Sequence, residues 1–471
     1  MRSYLALLPL LLATAVHAQT TTMATSIREG RAALEAGQPD QARVLFAAAL
    51  AHPDGEREDA YAAAMGLGQS VLWLGDYPAA ETAFRMARER AGDAQARQAA
   101  DTGLAQSFNA QDRPRAAYAL VAPFAKGQVR PTLELLRAVQ TLGWQDKSTV
   151  YLQAVSPPVA SGYVGTQYRL LQDDMRYALA PQLEGSFGYS HDSEGLSVYS
   201  LDSAFRFAPF ANGALVQTWG VAAGSTRVTD GQLARRVSSL SLTAQWRIDD
   251  MHYINLDLGP GRAGGWQYLQ GNASWTLQSS DRLGFTAAAE RAPLLSDVAI
   301  DHRLIYDTYS LGASLRPSTR WYVLPTWYHQ RFSDGNQRDG GTLRIRLSPY
   351  DIPATTAALG AELSTRVFHS SRPSRGGYFN PASYRTVQFN LVGVYTFDPD
   401  WKLRATAGAG RQVIDGAAAS VYTVNLSLDG RLPHNGRLRL ALGRSSAASD
   451  VSTGSSGYWN NTLMLSVGYP L

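Results

Sequence analysis

The residues of this sequence that could take part in catalysis are scattered, and none of their spacings completes a known catalytic site. Asp301 and His302 are adjacent, so their side chains would point to opposite faces of a strand, which suits acid–base catalysis poorly. Asp334, Asn336 and Asp339 could offer oxygen atoms to Ca²⁺, but the remaining ligands of an EF-hand loop do not follow them. The chain contains no cysteine, which excludes a thiol nucleophile and a disulfide framework. We therefore predict that the protein is not an enzyme and that it needs no metal and no cofactor.

One glycine-rich stretch has the letters of a nucleotide-binding turn. Residues 259–264 match the spacing GxGxxG, but Pro260 lies inside the stretch, and no helical pattern follows that could offer its N-terminus to a phosphate. We interpret the stretch as a loop between two strands.

A second set of polar residues recurs at every other position beside apolar neighbours. Arg344 and Arg346 flank Ile345, and Arg437 and Arg439 flank Leu438. Strict alternation gives a strand one polar and one apolar face. We predict that the polar face lines a water-filled path for a hydrophilic solute. The alternative is that these charges only brace a closed barrel. The predicted lining residues are Glu184, Asp202, Arg206, Arg247, Arg344, Arg346, Gln388, Asn390, Lys402, Arg404, Arg437 and Arg439.

The elements that would position these residues are strands. Alternation continues for about 300 residues after Ser156, and turn-forming pairs such as Asp249–Asp250 interrupt it at the spacing of transmembrane hairpins. Eight of the ten tryptophans and 18 of the 23 tyrosines follow residue 160, as in the aromatic girdles of outer-membrane barrels. At about 19 residues for each strand with its turn, the segment predicts an antiparallel transmembrane β-barrel of about 16 strands.

The region before the barrel has helical periodicity and an internal repeat. Small and aromatic residues recur at an offset of 38 residues, with a weaker third copy. The pattern resembles the tetratricopeptide repeat, in which small residues let two antiparallel helices approach and a phenylalanine fills the groove between them. The fold class is therefore α + β in separate domains, a short tetratricopeptide-repeat α-solenoid followed by the barrel. The predicted packing positions are Gly30, Ala42, Phe46, Gly68, Ala80, Phe84 and Ala116. The surface of the solenoid either binds a protein or polymer or acts as a spacer.

The N-terminus predicts export from the cytoplasm. Arg2, an apolar run and the small residues around Ala18 form a secretory signal over residues 1–18. We predict a helical domain with a capping helix over 19–155, a linker or plug over 156–176, and the barrel over 177–471. The 43 basic and 39 acidic residues leave a net charge of only +4, which argues against nucleic-acid binding.

Two short segments strengthen a family resemblance. Helical repeats followed by a C-terminal barrel resemble the outer-membrane exporters of synthase-dependent exopolysaccharides. Residues 332–338 (FSDGNQR) look like a hairpin in the barrel of the poly-β-1,6-N-acetylglucosamine exporter. Residues 376–384 (GGYFNPASY) look like the Tyr-Phe-Ser-Pro segment in the C-terminal domain of the exporter component of cellulose synthase. The second segment carries Tyr378, Phe379 and Tyr384, which would either stack on sugar rings or pack against the barrel wall.

The resemblance implies a passive exporter in the outer membrane, with its repeats in the periplasm. Its expected partners are a polysaccharide, outer-membrane lipid and periplasmic secretion proteins that bind the repeats. Two departures stand beside the resemblance, because the repeat region is much shorter than in those families and the predicted lumen is rich in arginine. The alternative function is a non-transporting structural or receptor barrel with a protein-binding repeat domain.

Overall fold

The structure, a computed structural model, describes residues 22–52, 56–154, 163–213, 215–230, 233–351, 356–373, 376–448 and 457–471. The expected signal segment lies outside them. The chain forms two compact units that divide between Leu104 and Ala105. No helix in the described part of the chain is long and apolar enough to cross a membrane.

Nine helices precede the first strand in the described residues. They are α1 (Met23–Glu35), α2 (Pro39–Leu50), α3 (Arg57–Trp73), α4 (Tyr77–Arg90), α5 (Ala94–Ala110), α6 (Pro114–Val121), α7 (Val129–Leu142), α8 (Gln145–Ala154) and α9 (Tyr163–Leu179). Helix α9 begins in the segment predicted as a linker or plug, and the first strand begins three residues after it ends.

In the first unit, two phenylalanines occupy spaces that glycines leave open. The ring of Phe46 lies 2.9 Å from where a Cβ on Gly30 would stand and 2.3 Å from that of Gly66. The ring of Phe84 lies 2.7 Å from the corresponding position of Gly68. A larger residue at these glycines would displace the rings. Ala42 and Ala80, the other two predicted packing positions here, are fully buried.

The predicted position in the third helix pair is wrong by one residue. Ala116 is only half-buried, whereas its neighbour Ala117 is fully buried and is followed by the buried Val121. The two helices begin at different positions relative to their prolines. Helix α6 begins at Pro114, whereas α4 begins one residue before Pro78. Aligning the two prolines therefore predicts a buried position one residue too early in α6.

The second unit contains a closed antiparallel barrel with 16 strand positions around its wall, which we call staves, and this confirms the predicted fold class. Seventeen strand segments build it, because β2 and β3 both pair with β4 and together form one interrupted stave. The segments are β1 (Gln182–Asp192), β2 (Leu196–Arg206), β3 (Phe210–Asn212), β4 (Leu215–Asp230), β5 (Leu233–Arg247), β6 (His252–Ala263), β7 (Trp266–Gln278), β8 (Leu283–Pro293), β9 (Ile305–Leu315), β10 (Trp321–Phe332), β11 (Gln337–Asp351), β12 (Ala357–Ser370), β13 (Ser383–Asp398), β14 (Trp401–Ile414), β15 (Ala417–Leu432), β16 (Gly436–Ser445) and β17 (Asn460–Pro470). Pairing of β1 with β17 closes the sheet, with Gln182 opposite Pro470.

Alternation along the strands separates an apolar exterior from a polar interior. Leu201, Leu240, Leu311 and Phe389 are exposed on the outside, with Leu201 63% accessible. Such a continuous apolar surface is what a lipid bilayer covers. The opposite positions carry the polar residues described below.

The two ends of the barrel differ in their connections. At the helix-side end, where β1 begins and β17 ends, short turns such as 248–251 and 433–435 connect the strands. At the loop-side end lie the longer connections 294–304, 371–382 and 446–459, the first of which contains a short helix, α10 (Asp297–Asp301).

The glycine-rich stretch at 259–264 is mostly strand, which corrects the loop interpretation. Residues 259–263 belong to β6, and Pro260 pairs with Leu269 of β7. A Cβ on Gly259 would stand 1.9 Å from the backbone oxygen of Leu240. Glycine is therefore needed at position 259 because β5 and β6 approach each other closely there.

Candidate transport path

The interior of the barrel contains two large cavities. One, of about 940 Å³, lies towards the helix-side end and is lined by predicted path residues: Glu184, Asp202, Lys402, Arg437 and Arg439. The other, of about 920 Å³, lies towards the loop-side end and is lined by hydroxyls and amides, such as Ser239, Gln270 and Thr308, together with apolar residues such as Leu294 and charged ones such as Glu290. Asp202 borders both cavities. The lumen is thus large and hydrogen-bonding along its length.

Five basic side chains form a stripe on one wall of the lumen, which we call the basic stripe. They are Arg344, Arg346, Lys402, Arg404 and Arg439. Each occupies an inward position of its strand, because the residues beside it, such as Leu343, Ile345 and Leu403, alternate to the outside. β11, β14 and β16 carry the stripe, so it extends across six consecutive staves.

Only two carboxylates interrupt the basic stripe among the described residues. Glu362 on β12 accepts from Arg346 at 2.9 Å and lies 3.4 Å from Arg344. Asp429 on β15 lies 3.7 Å from Arg439 and directly opposite Lys402 in the register. Sequence reasoning overlooked both acids, although each is at an inward position of an alternating strand.

Four further predicted path residues form local contacts inside the barrel. Arg206 pairs with Glu184 at 3.2 Å. Gln388 donates to the hydroxyl of Thr423 at 3.4 Å. Asn390 is buried and lies opposite Glu362 in the pairing of β12 with β13. These residues occupy the polar face without adding net charge to the basic stripe.

Two predicted path arginines bind helices at the helix-side end. Arg247 is buried and forms an ion pair of 2.6 Å with Asp146 of α8, and a second of 3.1 Å with Asp250. Arg437 and Arg431 both bind the carboxylate of Asp174 in α9, Arg431 at 2.9 Å. Their guanidinium groups are thereby engaged by the helices at the rim.

Other contacts join the same helices to the turns of the barrel. Lys147 binds Asp250 at 2.6 Å and lies 4.1 Å from the ring of Trp144. The indole of Trp144 donates to the hydroxyl of Tyr253 at 2.8 Å. The carboxylate of Asp281 accepts from the first backbone amides of α6, at 2.9 and 3.1 Å. Arg316, in the β9–β10 turn, pairs with Asp112 before α6. We call this set of contacts, with the ion pairs of Arg247, Arg316, Arg431 and Arg437, the helix-side latch.

At the loop-side end, the two segments that resemble exporter motifs meet. The amide of Asn336, in the β10–β11 turn, donates to the hydroxyl of Tyr378 and to Asn380, both at 2.9 Å. The Tyr378 hydroxyl donates in turn to Asp334 at 3.0 Å. Asn336 is completely buried, and burial raises the pKa of Tyr378 well above its ordinary value. Asp334 and Asn336 of the discounted calcium loop therefore serve this network.

The loop aromatics pack against the barrel wall, which decides between the two alternatives for them. Tyr378, Phe379 and Tyr384 are all buried. Tyr378 stacks on Phe332 at 4.7 Å between ring centres, and Tyr384 on Phe368 at 5.0 Å. Their ring faces are occupied by protein, so they offer no open platform for a sugar.

A buried arginine joins this packing to the barrel wall. The guanidinium of Arg338 lies 4.3 Å from the ring centre of Phe368 and donates to the backbone oxygen of Phe379. It also donates to Gln330 at 3.2 Å. We call the described residues of 294–304, 332–338 and 371–384 the loop cap. Local sequence patterns do not indicate that these segments converge, because they are distant along the chain and lack a shared periodicity.

The β8–β9 connection also belongs to the loop cap. Ser296 caps α10 at the amide of Ala299, 3.1 Å away, and donates to the backbone oxygen of Gly377. Asp301 is held by Arg235 in a two-point ion pair of 2.6 and 2.7 Å. The carboxylate of Asp301, which precedes His302 in the chain, is therefore engaged by Arg235 at the rim.

Comparison with solved structures shows the fold of the barrel. The chain is similar to a bacterial polysaccharide outer membrane secretin, with 13% identity, a TM-score of 0.52, and coverage of 62% of this chain and 99% of that one. It is also similar to CdiB from Acinetobacter baumannii, with 11% identity, a TM-score of 0.40, and coverage of 62% of this chain and 60% of that one. No protein-family model and no curated protein sequence matches the chain.

Proposed function

We propose that this protein is an outer-membrane channel that exports an exopolysaccharide through its barrel, without enzymatic activity of its own. The observation that carries the proposal is the lumen: large cavities lined by charged, amide and hydroxyl side chains inside a barrel with an apolar exterior. The fold shared with a polysaccharide outer membrane secretin supports this choice of solute.

In this proposal the helix-side end faces the periplasm, because the chain enters the barrel there from its helical region. The helices would then receive the polymer or bind a periplasmic secretion protein before the barrel. The helix-side latch keeps α8 and α9 beside the entrance, where Asp146 and Asp174 bind the rim arginines. Transport is passive at this protein, since the described residues present a surface to slide along and the driving force comes from synthesis of the polymer.

Planar-bilayer recording with the purified full-length chain tests the proposal. We expect discrete current steps from folded protein, and none from the same preparation after heat denaturation. Folded protein that inserts without current would contradict it. In the source bacterium, deletion of the gene should abolish extracellular polysaccharide, and the intact gene should restore it.

The second candidate is a non-transporting barrel that binds a partner. The observation that favours it is the loop cap, whose buried network fixes three connections at one end of the lumen. This candidate predicts absence of current from the native chain and undiminished polysaccharide secretion after deletion of the gene.

A further inference from the structure

The basic stripe identifies the chemistry of the exported polymer, an inference that rests on the proposed function. The carboxylates that lie among its five cations in the described residues are Glu362 and Asp429. Of the other acids that line the same cavity, Glu184 is paired with Arg206 and Asp400 with Arg431, and Asp202 lies on β2. Arg404 lies near Arg346 and Arg439, which repel it, and its two nearby acids are already engaged by other arginines. The stripe therefore retains a positive potential that an anion would neutralise.

The opposite wall is different in charge. Halfway round the barrel from β14 lies β6, whose inward positions include Asp257. In the register, Asp257 is joined to Thr243, Asn272 and Glu290 across neighbouring strands. Glu290 accepts a hydrogen bond of 2.9 Å from Tyr306. A charged solute in the lumen therefore meets cations on one side, and hydroxyls, amides and the carboxylates of Asp202, Asp257 and Glu290 on the rest of the wall, where Glu184 is paired with Arg206.

The extent of the basic stripe points to a chain rather than a small ion. Six adjacent staves at about 4.8 Å spacing give a stripe about 24 Å wide. Guanidinium groups bind carboxylates in a fixed two-point geometry and also donate to sugar hydroxyls. The partial exposure of Arg344, Arg346 and Arg439, between 33% and 56% of each side chain, leaves donors available to the lumen.

We infer that the lumen binds a polyanionic polysaccharide, one whose sugars carry carboxylates, along the basic stripe. Hydroxyl and amide side chains of the opposite wall contact the uncharged face of the same polymer. Since each arginine is one contact among several, the polymer is retained while it can still slide past each residue.

The test measures binding to the full-length chain in detergent by calorimetry, with hexagalacturonate as the anionic probe. The neutral maltohexaose and the cationic hexamer of chitosan are the comparisons. We expect hexagalacturonate to bind at least tenfold more tightly than maltohexaose at low salt, with affinity falling as salt rises. Equal binding of the two, or preference for the chitosan hexamer, would overturn the inference.

Variants locate the binding. Lys402→Gln combined with Arg404→Gln should weaken hexagalacturonate binding about tenfold or more, because each removes a charged donor. Glu362 and Asp429 keep their ion pairs with Arg346 and Arg439 in this variant, so the barrel should fold. The matched control is Arg411→Gln, which changes an outward-facing arginine of the same strand and should leave binding unchanged. Equal effects of both changes would overturn the placement in the lumen.

Bilayer recording separates this inference from the proposed function. Anion-selective current that hexagalacturonate blocks supports both, whereas cation-selective current supports a channel and contradicts the inference. Selective hexagalacturonate binding in detergent by a protein that carries no current keeps the anionic site and rejects export.

Discussion

The two ends of the barrel are held by opposite kinds of chemistry. The loop cap consists mainly of buried rings and neutral hydrogen bonds around Asn336, with a single buried guanidinium among its described residues and one exposed ion pair, between Asp301 and Arg235, at its edge. The helix-side latch consists mainly of ion pairs, several of them partly exposed, beside the Trp144–Tyr253 hydrogen bond and the α6 amides that donate to Asp281. Exposed ion pairs are weak and are screened by salt, whereas buried hydrogen-bond networks cost much to break.

This difference implies that the two ends respond to different conditions. The contacts of the loop cap should persist over a wide range of ionic strength. The latch should loosen as salt rises, because its attraction is Coulombic. Under the proposed function, this arrangement places the adaptable contacts at the end where the polymer would enter.

The largest effect is expected from Arg338→Ala in the loop cap. The change leaves the Phe379 oxygen and the Gln330 amide without this donor and removes the cation from the face of Phe368. We expect a loss of about 3–5 kcal/mol of unfolding free energy. Thermal unfolding in detergent, followed by circular dichroism, measures it. Arg385→Ala, at an exposed outward position of β13, is the control, and an equal loss there would contradict a special role for Arg338.

The next largest effect is expected from Asn336→Ala. Asn336 donates to Tyr378 and Asn380, and its amide oxygen accepts from the backbone amide of Arg372 at 2.9 Å, which holds the β12–β13 connection. Losing these bonds should destabilise the loop cap by about 2–3 kcal/mol. Limited trypsin digestion should then cut after Arg375, the arginine of this connection that no proline follows, faster than in the native chain. Asn255→Ala, an exposed amide on β6, should not change the rate. Unchanged cleavage in Asn336→Ala would show that packing alone holds the connection.

A smaller effect is expected from Asp174→Asn in the helix-side latch. The change removes the carboxylate that Arg431 and Arg437 share, although Arg431 keeps Asp400 at 3.4 Å. We expect about 1–2 kcal/mol less protection of the amides of α9 in hydrogen exchange. High salt should lower the protection of the α9 amides in the native chain to nearly that of the variant. Asp173→Asn is the matched control, because the Asp173 carboxylate meets Arg176 at 3.6 Å on the surface. Salt-independent protection of α9 would contradict the electrostatic account.

Sequence reasoning succeeded where the signal was local and periodic. Alternation predicted the strands and the count of about 16, because one apolar and one polar face per strand is a property of each strand alone. The turn pair Asp249–Asp250 is predicted for the same reason, and it lies at the helix-side end.

It failed where contacts are distant along the chain. Nothing in the local pattern around Asp146 or Asp174 indicates that these helix residues bind arginines of the barrel, so Arg247 and Arg437 were described only as lining residues. Buried aromatic packing of Tyr378 could not be distinguished from a sugar platform for the same reason. The glycine-rich composition around Gly259 predicts a flexible loop. In the structure Gly259 lies in a strand, and the backbone oxygen of Leu240 leaves no room for a Cβ there.

The smallest effect is expected from Asp112→Asn, at the most exposed ion pair of the latch. Asp112 binds Arg316 of the β9–β10 turn, and its carboxylate is 54% exposed. Water competes for both groups, and the backbone oxygen of Asp112 continues to accept from Arg316 at 3.0 Å after the change. We therefore expect a change in unfolding free energy within about 0.5 kcal/mol. A loss as large as that of Asp174→Asn would mean that exposure does not rank the contacts of the latch, and the contrast drawn between its ion pairs and the buried loop cap would lose its physical basis.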